Sequence, residues 1–207
     1  MTRTLIVAIV AALASASCGD VVRTGRSPAF LIIESIEAAN GNNPNEFFSF
    51  LLSDVQTFVE VTIEGQQIRV PTIFNDPGRA SFRIGLKNTG TPAAPIGPTT
   101  MNDITLSSYR VVYRRTDGRN QPGIDVPHAV AGGMTVTVPS NGNVSFGFDL
   151  VRHQAKNEPP LRNLIAGGGA QFIDTIAEVT FFGRDQAGNE VQAVGTINIR
   201  FGDFGDE

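Results

Sequence analysis

Cysteine is nearly absent from this chain: Cys18 is the only one in 207 residues. No internal disulfide can form, so whatever folds here is held by apolar burial and hydrogen bonding. Tryptophan is missing, and histidine occurs only twice, at His128 and His153. Neither stands in an H-x-x-x-H or H-E-x-x-H spacing, which leaves a zinc site nothing to build on. Charge is sparse, with 17% of residues charged and a formal net charge of −4. That excludes the basic field that draws nucleic acid, and no nucleic-acid partner is expected. A G-x-S-x-G nucleophile elbow is also missing. The run Gly167–Gly169 follows the one stretch with helical character instead of preceding it, the wrong order for a phosphate cradle. No catalytic residue and no cofactor are assigned, and the chain is not read as an enzyme.

What is present starts at the N-terminus. Arg3 gives a short positive region, Leu5 to Leu13 is an unbroken apolar run, and Ala14, Ser15, Ala16 and Ser17 are small residues ahead of Cys18. This is the order of a secretory signal peptide, and the run is well short of the about 20 residues a membrane-spanning helix needs. A lone cysteine just after the small residues resembles the lipobox of bacterial lipoproteins, although Ser15 stands where that family usually has leucine. The resemblance implies that Cys18 becomes the first mature residue and that its sulfur carries a diacylglyceryl group. Cleavage after Ala14-Ser15-Ala16 by the ordinary signal peptidase is the alternative. The expected layout is a signal peptide over 1–17, a lipidated tether over 18–28 and one domain over 29–207.

The domain reads as strands and turns. Ala29 to Ile36 is a first buried strand, and Asn40 to Asn45 is a turn cluster. Phe47 to Val59 fits a strand pair or a helical turn, because apolar residues recur in both periods. Val61 to Val70 is a hairpin about Gly65, and Asn75 to Gly78 (NDPG) reads as a turn. Phe82, Ile84 and Leu86 then alternate with Arg83 and Lys87. Residues 88–100 are a Pro/Gly/Thr-rich loop. In Ile104 to Arg115, Tyr109, Val111 and Tyr113 share one face. Met134 to Val138, an Asn-Gly turn and Val144 to Val151 follow as another hairpin. Arg152 to Ile165 holds one short helix broken by Pro159 and Pro160. Thr175 to Gly183 and Glu190 to Phe201 form the last hairpin.

That last hairpin, Val179 to Phe201 with Asp185, Gly188 and Asn189 in a D-x-x-G-N turn, resembles the closing hairpin of bacterial immunoglobulin-like domains. With the strand pattern, the resemblance implies an all-β, antiparallel Ig-like β-sandwich of about seven to nine strands. It implies nothing about a ligand.

Several constellations invite a chemical reading. The loop at Asp185, Gln186, Asn189 and Glu190 clusters oxygen ligands for Ca²⁺, and Asp117 with Asp125 brackets a second polar loop. Asp and Asn also suit turns for conformational reasons alone, so no metal is assigned. Glu34, Asp54, Asp149 and Glu178 could supply a glycosidase-type carboxylate pair, a requirement almost any domain meets. Arg110, Arg114, Arg115 and Arg119 form the basic concentration, read as solvated edge charges. Phe47, Phe48 and Phe50 are either a binding surface or core, and core is preferred.

The expected function is that of a bacterial cell-envelope protein held to a membrane, at the outer membrane or periplasmic face, by lipid at Cys18. It would act as a non-enzymatic binding or structural module. The alternatives are a hydrolytic accessory protein using a loop carboxylate pair, and a subunit of an envelope complex held by edge-strand pairing to a protein partner.

Overall fold

The computed structural model describes residues 25–165 and 171–204. Cys18, most of its tether and Gly167–Gly169 lie outside the described residues.

Period-two alternation decides which way each strand faces. In β8 (Ile104–Arg115), Ile104, Leu106, Tyr109, Val111 and Tyr113 are buried while Arg110 and Arg114 face water. The same rule orients β5 (Asp76–Leu86), β11 (Phe172–Asp185) and β12 (Glu190–Gly202). Two sheets result. One has three strands, with β5 between β1 (Ala29–Ala38) and β10 (Asn143–Val151). The other has five, in the order β2 (Phe50–Asp54), β12, β11, β8 and β9 (Val130–Val138). Their inner faces supply one apolar core. The chain is an all-β sandwich, and its eight sheet strands fall within the expected number. The first two strands split between the sheets, and the central hairpin β11–β12 joins β8, which is an immunoglobulin-like order. The pairing is antiparallel except between β2 and β12, which run parallel from Asn198↔Phe50 to Gly202↔Asp54.

Aromatic rings knit the two sheets together. Phe181 meets Phe82 edge-on at 4.8 Å and Phe148 at 5.4 Å, so rings from both sheets interlock. Two tyrosines of β8 reach across to β10. The Tyr113 hydroxyl donates to the Leu150 carbonyl at 2.6 Å, and the Tyr109 hydroxyl accepts from the Asp149 amide at 3.2 Å. Each phenol fills core volume with its ring and satisfies β10 backbone with its oxygen.

Four further strands lie outside the two main sheets. β3 (Thr57–Ile63) and β4 (Gln66–Thr72) form a two-stranded ribbon, and β6 (Gly90–Thr91) with β7 (Ala94–Pro95) forms a minimal hairpin within the 88–100 loop. The helix α1 is a single turn, His153–Lys156, followed by a 3-10 turn at Leu161–Leu164.

Three expectations need correcting. Met134–Val138 and Val144–Val151 do not form a hairpin: β9 pairs with β8 and β10 with β5, so the Asn141-Gly142 turn carries the chain from one sheet to the other. Asn75–Gly78 is not a turn: β5 begins at Asp76, with Gly78 paired to both Ala38 and Phe148. The Asp76 side chain is engaged by partners distant in sequence, so it does not close a local turn. The phenylalanine cluster is not core: Phe48 is 54% and Phe50 50% exposed. Along β2 it is Leu51 and Ser53 that turn inward, followed by Val55 just past its end, and Phe47 is half-buried under the Arg79 guanidinium.

Candidate functional site

The ribbon interrupts the sandwich between Val55, whose amide still donates to Gly202, and Asp76 at the start of β5. Its tip is a two-residue loop, Glu64–Gly65, with φ of 51° and 80°, the left-handed pair of a type I′ turn. Behind the turn the register runs from Ile63↔Gln66 to Thr57↔Thr72, and no third strand joins among the described residues. Alternation therefore gives the ribbon two unlike faces. Glu60, Thr62, Gln67 and Arg69 occupy one, where Arg69 stacks 5.1 Å above the Phe58 ring. Val59, Val61, Ile63, Ile68 and Val70 occupy the other. That second face is in water: Ile63 is 51% and Ile68 43% exposed.

The legs of the ribbon converge on a buried polar cluster. Lys156 of α1 and Asp76 are 1% and 0% exposed, with the ammonium 2.7 Å from Oδ1 of the carboxylate. The same ammonium donates to the Asp54 carbonyl at 2.8 Å. Ser53 donates its hydroxyl to Oδ2 of Asp76 at 2.6 Å, and the Gly41 amide donates to Oδ1 at 2.9 Å. One lysine thus ties the residues just before the ribbon to the residue that opens β5 after it. Burial pushes the Asp76 carboxyl above its ordinary value, against the opposing pull of Lys156, Ser53 and Gly41. Burial, and then the Asp76 charge, also drive the Tyr113 phenol above its usual range. Among the described residues no buried side-chain polar atom lacks a hydrogen-bond partner. The cluster is a filled clamp with its polar groups paired inward, and it holds the base of the ribbon.

The fold also sets where the ribbon lies relative to the start of the domain. Ala29 pairs with Leu86 at one end of β1, and Ala38 pairs with Gly78 at the other, beside Asp76. The chain enters at one pole of the sandwich and the ribbon leaves near the opposite pole, separated by the ten-residue length of β1, about 33 Å at ~3.3 Å per residue.

The residues singled out from sequence are dispersed. The Asp185 carboxylate is taken up by its own turn, accepting from the amides of Ala187 and Asn189 and from the Asn189 side chain. Glu190 pairs with Arg184. No group of three or more His, Cys, Asp or Glu is arranged to hold a metal among the described residues. His153 hydrogen-bonds Asn75 through Nδ1 at 2.8 Å, and the His128 ring lies against Gly123. Glu34 pairs with Arg83, Asp149 with Arg152 and Glu178 with Arg114, while Asp54 accepts the Phe204 amide. Each of the four carboxyl groups has a different partner. Arg115 and Arg119 both grip Asp117, which those hydrogen bonds hold well below the usual carboxylate range. Phe48, Phe50 and Leu52 line a shallow cleft beside Asn40 and Glu46.

Sequence reasoning missed the clamp. Asp76 is hidden in a tetrapeptide with good turn chemistry, and Lys156 in a segment broken by prolines. The only hint is a lysine close to an apolar run. Compared with known proteins, the chain matches no protein family, no curated protein and no solved structure.

Proposed function

We propose that this is a lipoprotein of the bacterial cell envelope, anchored through Cys18, that works as a non-enzymatic binding module. Its β3–β4 ribbon would be the part offered to a protein partner. The observation that carries the reading is the uncovered apolar face of the ribbon. Isolated two-stranded ribbons are marginal in water and need a third strand or a packed surface. Here the turn and the clamp hold the ribbon out, with branched apolar side chains exposed on one side. Fully burying one such side chain is worth about 1.5–3 kcal/mol, so a partner that covers this face gains several such contributions. The pole at which the ribbon leaves supports the same reading, because an anchor at Cys18 leads to the opposite pole.

The test uses the full-length chain in cells. A photo-crosslinking residue at Ile63 should give one discrete adduct with an envelope protein, and the same residue at Asn141, in the turn near the other pole, should not. Val61→Asp should abolish the Ile63 adduct. Cys18→Ala should move the chain out of the membrane fraction. Equal crosslinking from both poles would reject the ribbon as the binding element, and retention of Cys18→Ala in the membrane would reject the anchor.

A further inference from the structure

Taking the ribbon as the binding element, we infer that it binds by strand addition along the outer edge of β3. The partner is an extended, amphipathic edge strand of another envelope protein, laid beside Phe58, Glu60 and Thr62. Once formed, it makes the ribbon a three-stranded sheet.

The ribbon's register identifies the edge. A two-residue loop makes its flanking pair, Ile63↔Gln66, a hydrogen-bonded pair. Pairs then alternate down the ladder. Thr62↔Gln67, Glu60↔Arg69 and Phe58↔Pro71 are the non-hydrogen-bonded ones, whose N–H and C=O groups turn outward. On β3 every outward position keeps its amide. On β4 one of them is Pro71, which has no N–H to donate. The two edges are therefore unequal: β3 offers a continuous rail and β4 an interrupted one.

The same geometry selects the occupant. Face-to-face packing of a second copy's ribbon would bury little. Seven residues per strand give a face of about 24 Å by ~10 Å, or roughly 500 Å² for two faces, against about 1,200 Å² for a stable interface. An anchor at Cys18 would lead to Ala29, at the pole away from the ribbon. A strand from a structured partner satisfies the edge and brings its own body over the apolar face. Its residues beside Val59, Val61 and Ile63 are apolar, and the one beside Glu60 is basic, since opposite charges across a strand pair are favoured.

The experiment uses the lipidated chain in detergent micelles with a defined probe, an acetylated nonapeptide alternating valine with threonine and lysine. Amide exchange is read by NMR. The expected result is at least tenfold slower exchange of the Phe58, Glu60 and Thr62 amides with the probe present. Glu60→Pro should remove the effect, because it deletes an outward donor and leaves the inward ladder intact, while Gln67→Pro on the other edge should preserve it. A probe N-methylated on the amides that face β3 should fail, which tests the mode without altering the chain. Three outcomes overturn strand addition on β3: protection on β4, protection that survives Glu60→Pro and N-methylation, or light scattering showing that the ribbon joins two copies. Absence of protection alongside an intact Ile63 adduct overturns the mode and leaves the binding module standing. Absence of both overturns the two together.

Discussion

Replacing Lys156 with methionine is the sharpest test of the clamp. Methionine keeps roughly the length and apolar stem of lysine, so the change is confined to the ammonium. That group is the cationic partner of a carboxylate that is 0% exposed, and it also donates to the Asp54 carbonyl. Breaking a buried pair on one side costs about 3–5 kcal/mol. Loss of the hydrogen bond to the Asp54 carbonyl adds a cost of about 0.5–1.5 kcal/mol. The two do not simply add, because Asp76 escapes part of the cost by taking up a proton. A net loss of about 3–5 kcal/mol is expected near neutral pH, against a total stability of order 5–15 kcal/mol. At about 2–4 °C per kcal/mol for a chain of this size, the melting temperature should fall by roughly 6–20 °C.

The loss should depend on pH in a definite direction. Burial already pushes the Asp76 carboxyl up, and without Lys156 its strongest opposing pull is gone. Between the unfolded carboxyl value near ~3.9 and the raised folded value, the native state holds the extra proton. The variant therefore loses stability as pH rises through that window and is least impaired in acid. Urea melts from pH 4 to 8 measure this. The double variant Lys156→Met, Asp76→Asn should recover about 2 kcal/mol or more, since the side-chain amide carries no charge and still accepts hydrogen bonds. A single variant costing under about 1 kcal/mol, or a double variant no better than the single, would refute the reasoning.

Three further outcomes are expected. Tyr113→Phe strands the Leu150 carbonyl that the phenol serves at 2.6 Å and should cost about 1–3 kcal/mol in urea; a change within ~0.5 kcal/mol, the usual range for uninvolved sites, would show that the cross-sheet bond is idle. Gly132→Ala places a Cβ 2.4 Å from the ring of the buried Tyr109, whereas Gly133 faces open space; the first should destabilise by about 1–3 kcal/mol and Gly133→Ala should not, and equal melting temperatures would contradict the packing. Burial raises the Asp185 carboxyl, but hydrogen bonds from Asn189, Ser27 and Ala187 outweigh it and hold the group below its ordinary value. Its stabilisation is therefore present above the unfolded value near ~3.9 and is lost as pH falls through the folded one. Asp185→Asn should consequently trail the parent at pH 6 and converge with it in acid, and a gap independent of pH would count against this.

Legibility from sequence follows the range of the interactions. Tyr109, Val111 and Tyr113 announce an inward face by spacing alone, and the structure buries all three. The Thr175–Phe201 hairpin is readable because a turn and its flanking strands are contiguous. The Asn-Gly turn misleads, because β9 pairs with β8 and β10 with β5, so the turn crosses between sheets instead of closing a hairpin. Asp76 reads wrongly from sequence because the residues that claim it, Ser53 and Lys156, lie 23 and 80 positions away. Phe48 and Phe50 mislead for a related reason. Composition marks large aromatics as core, but the parallel register of β2 on β12 turns Leu51 and Ser53 inward instead.

By itself, the sequence determined the class of fold, the direction each long strand faces and the resemblance of the region around Cys18 to a lipobox, since all three depend on residues close together in the chain. Only the tertiary structure decided that Val59 to Val70 finds no sheet to join among the described residues, that a lysine and an aspartate from distant segments pin its base, and that the ribbon leaves the domain at the pole away from Ala29. Alternation of apolar residues states that a strand has an inner face. Whether anything stands against that face is settled by which strands pair, and pairing is a property of the whole chain.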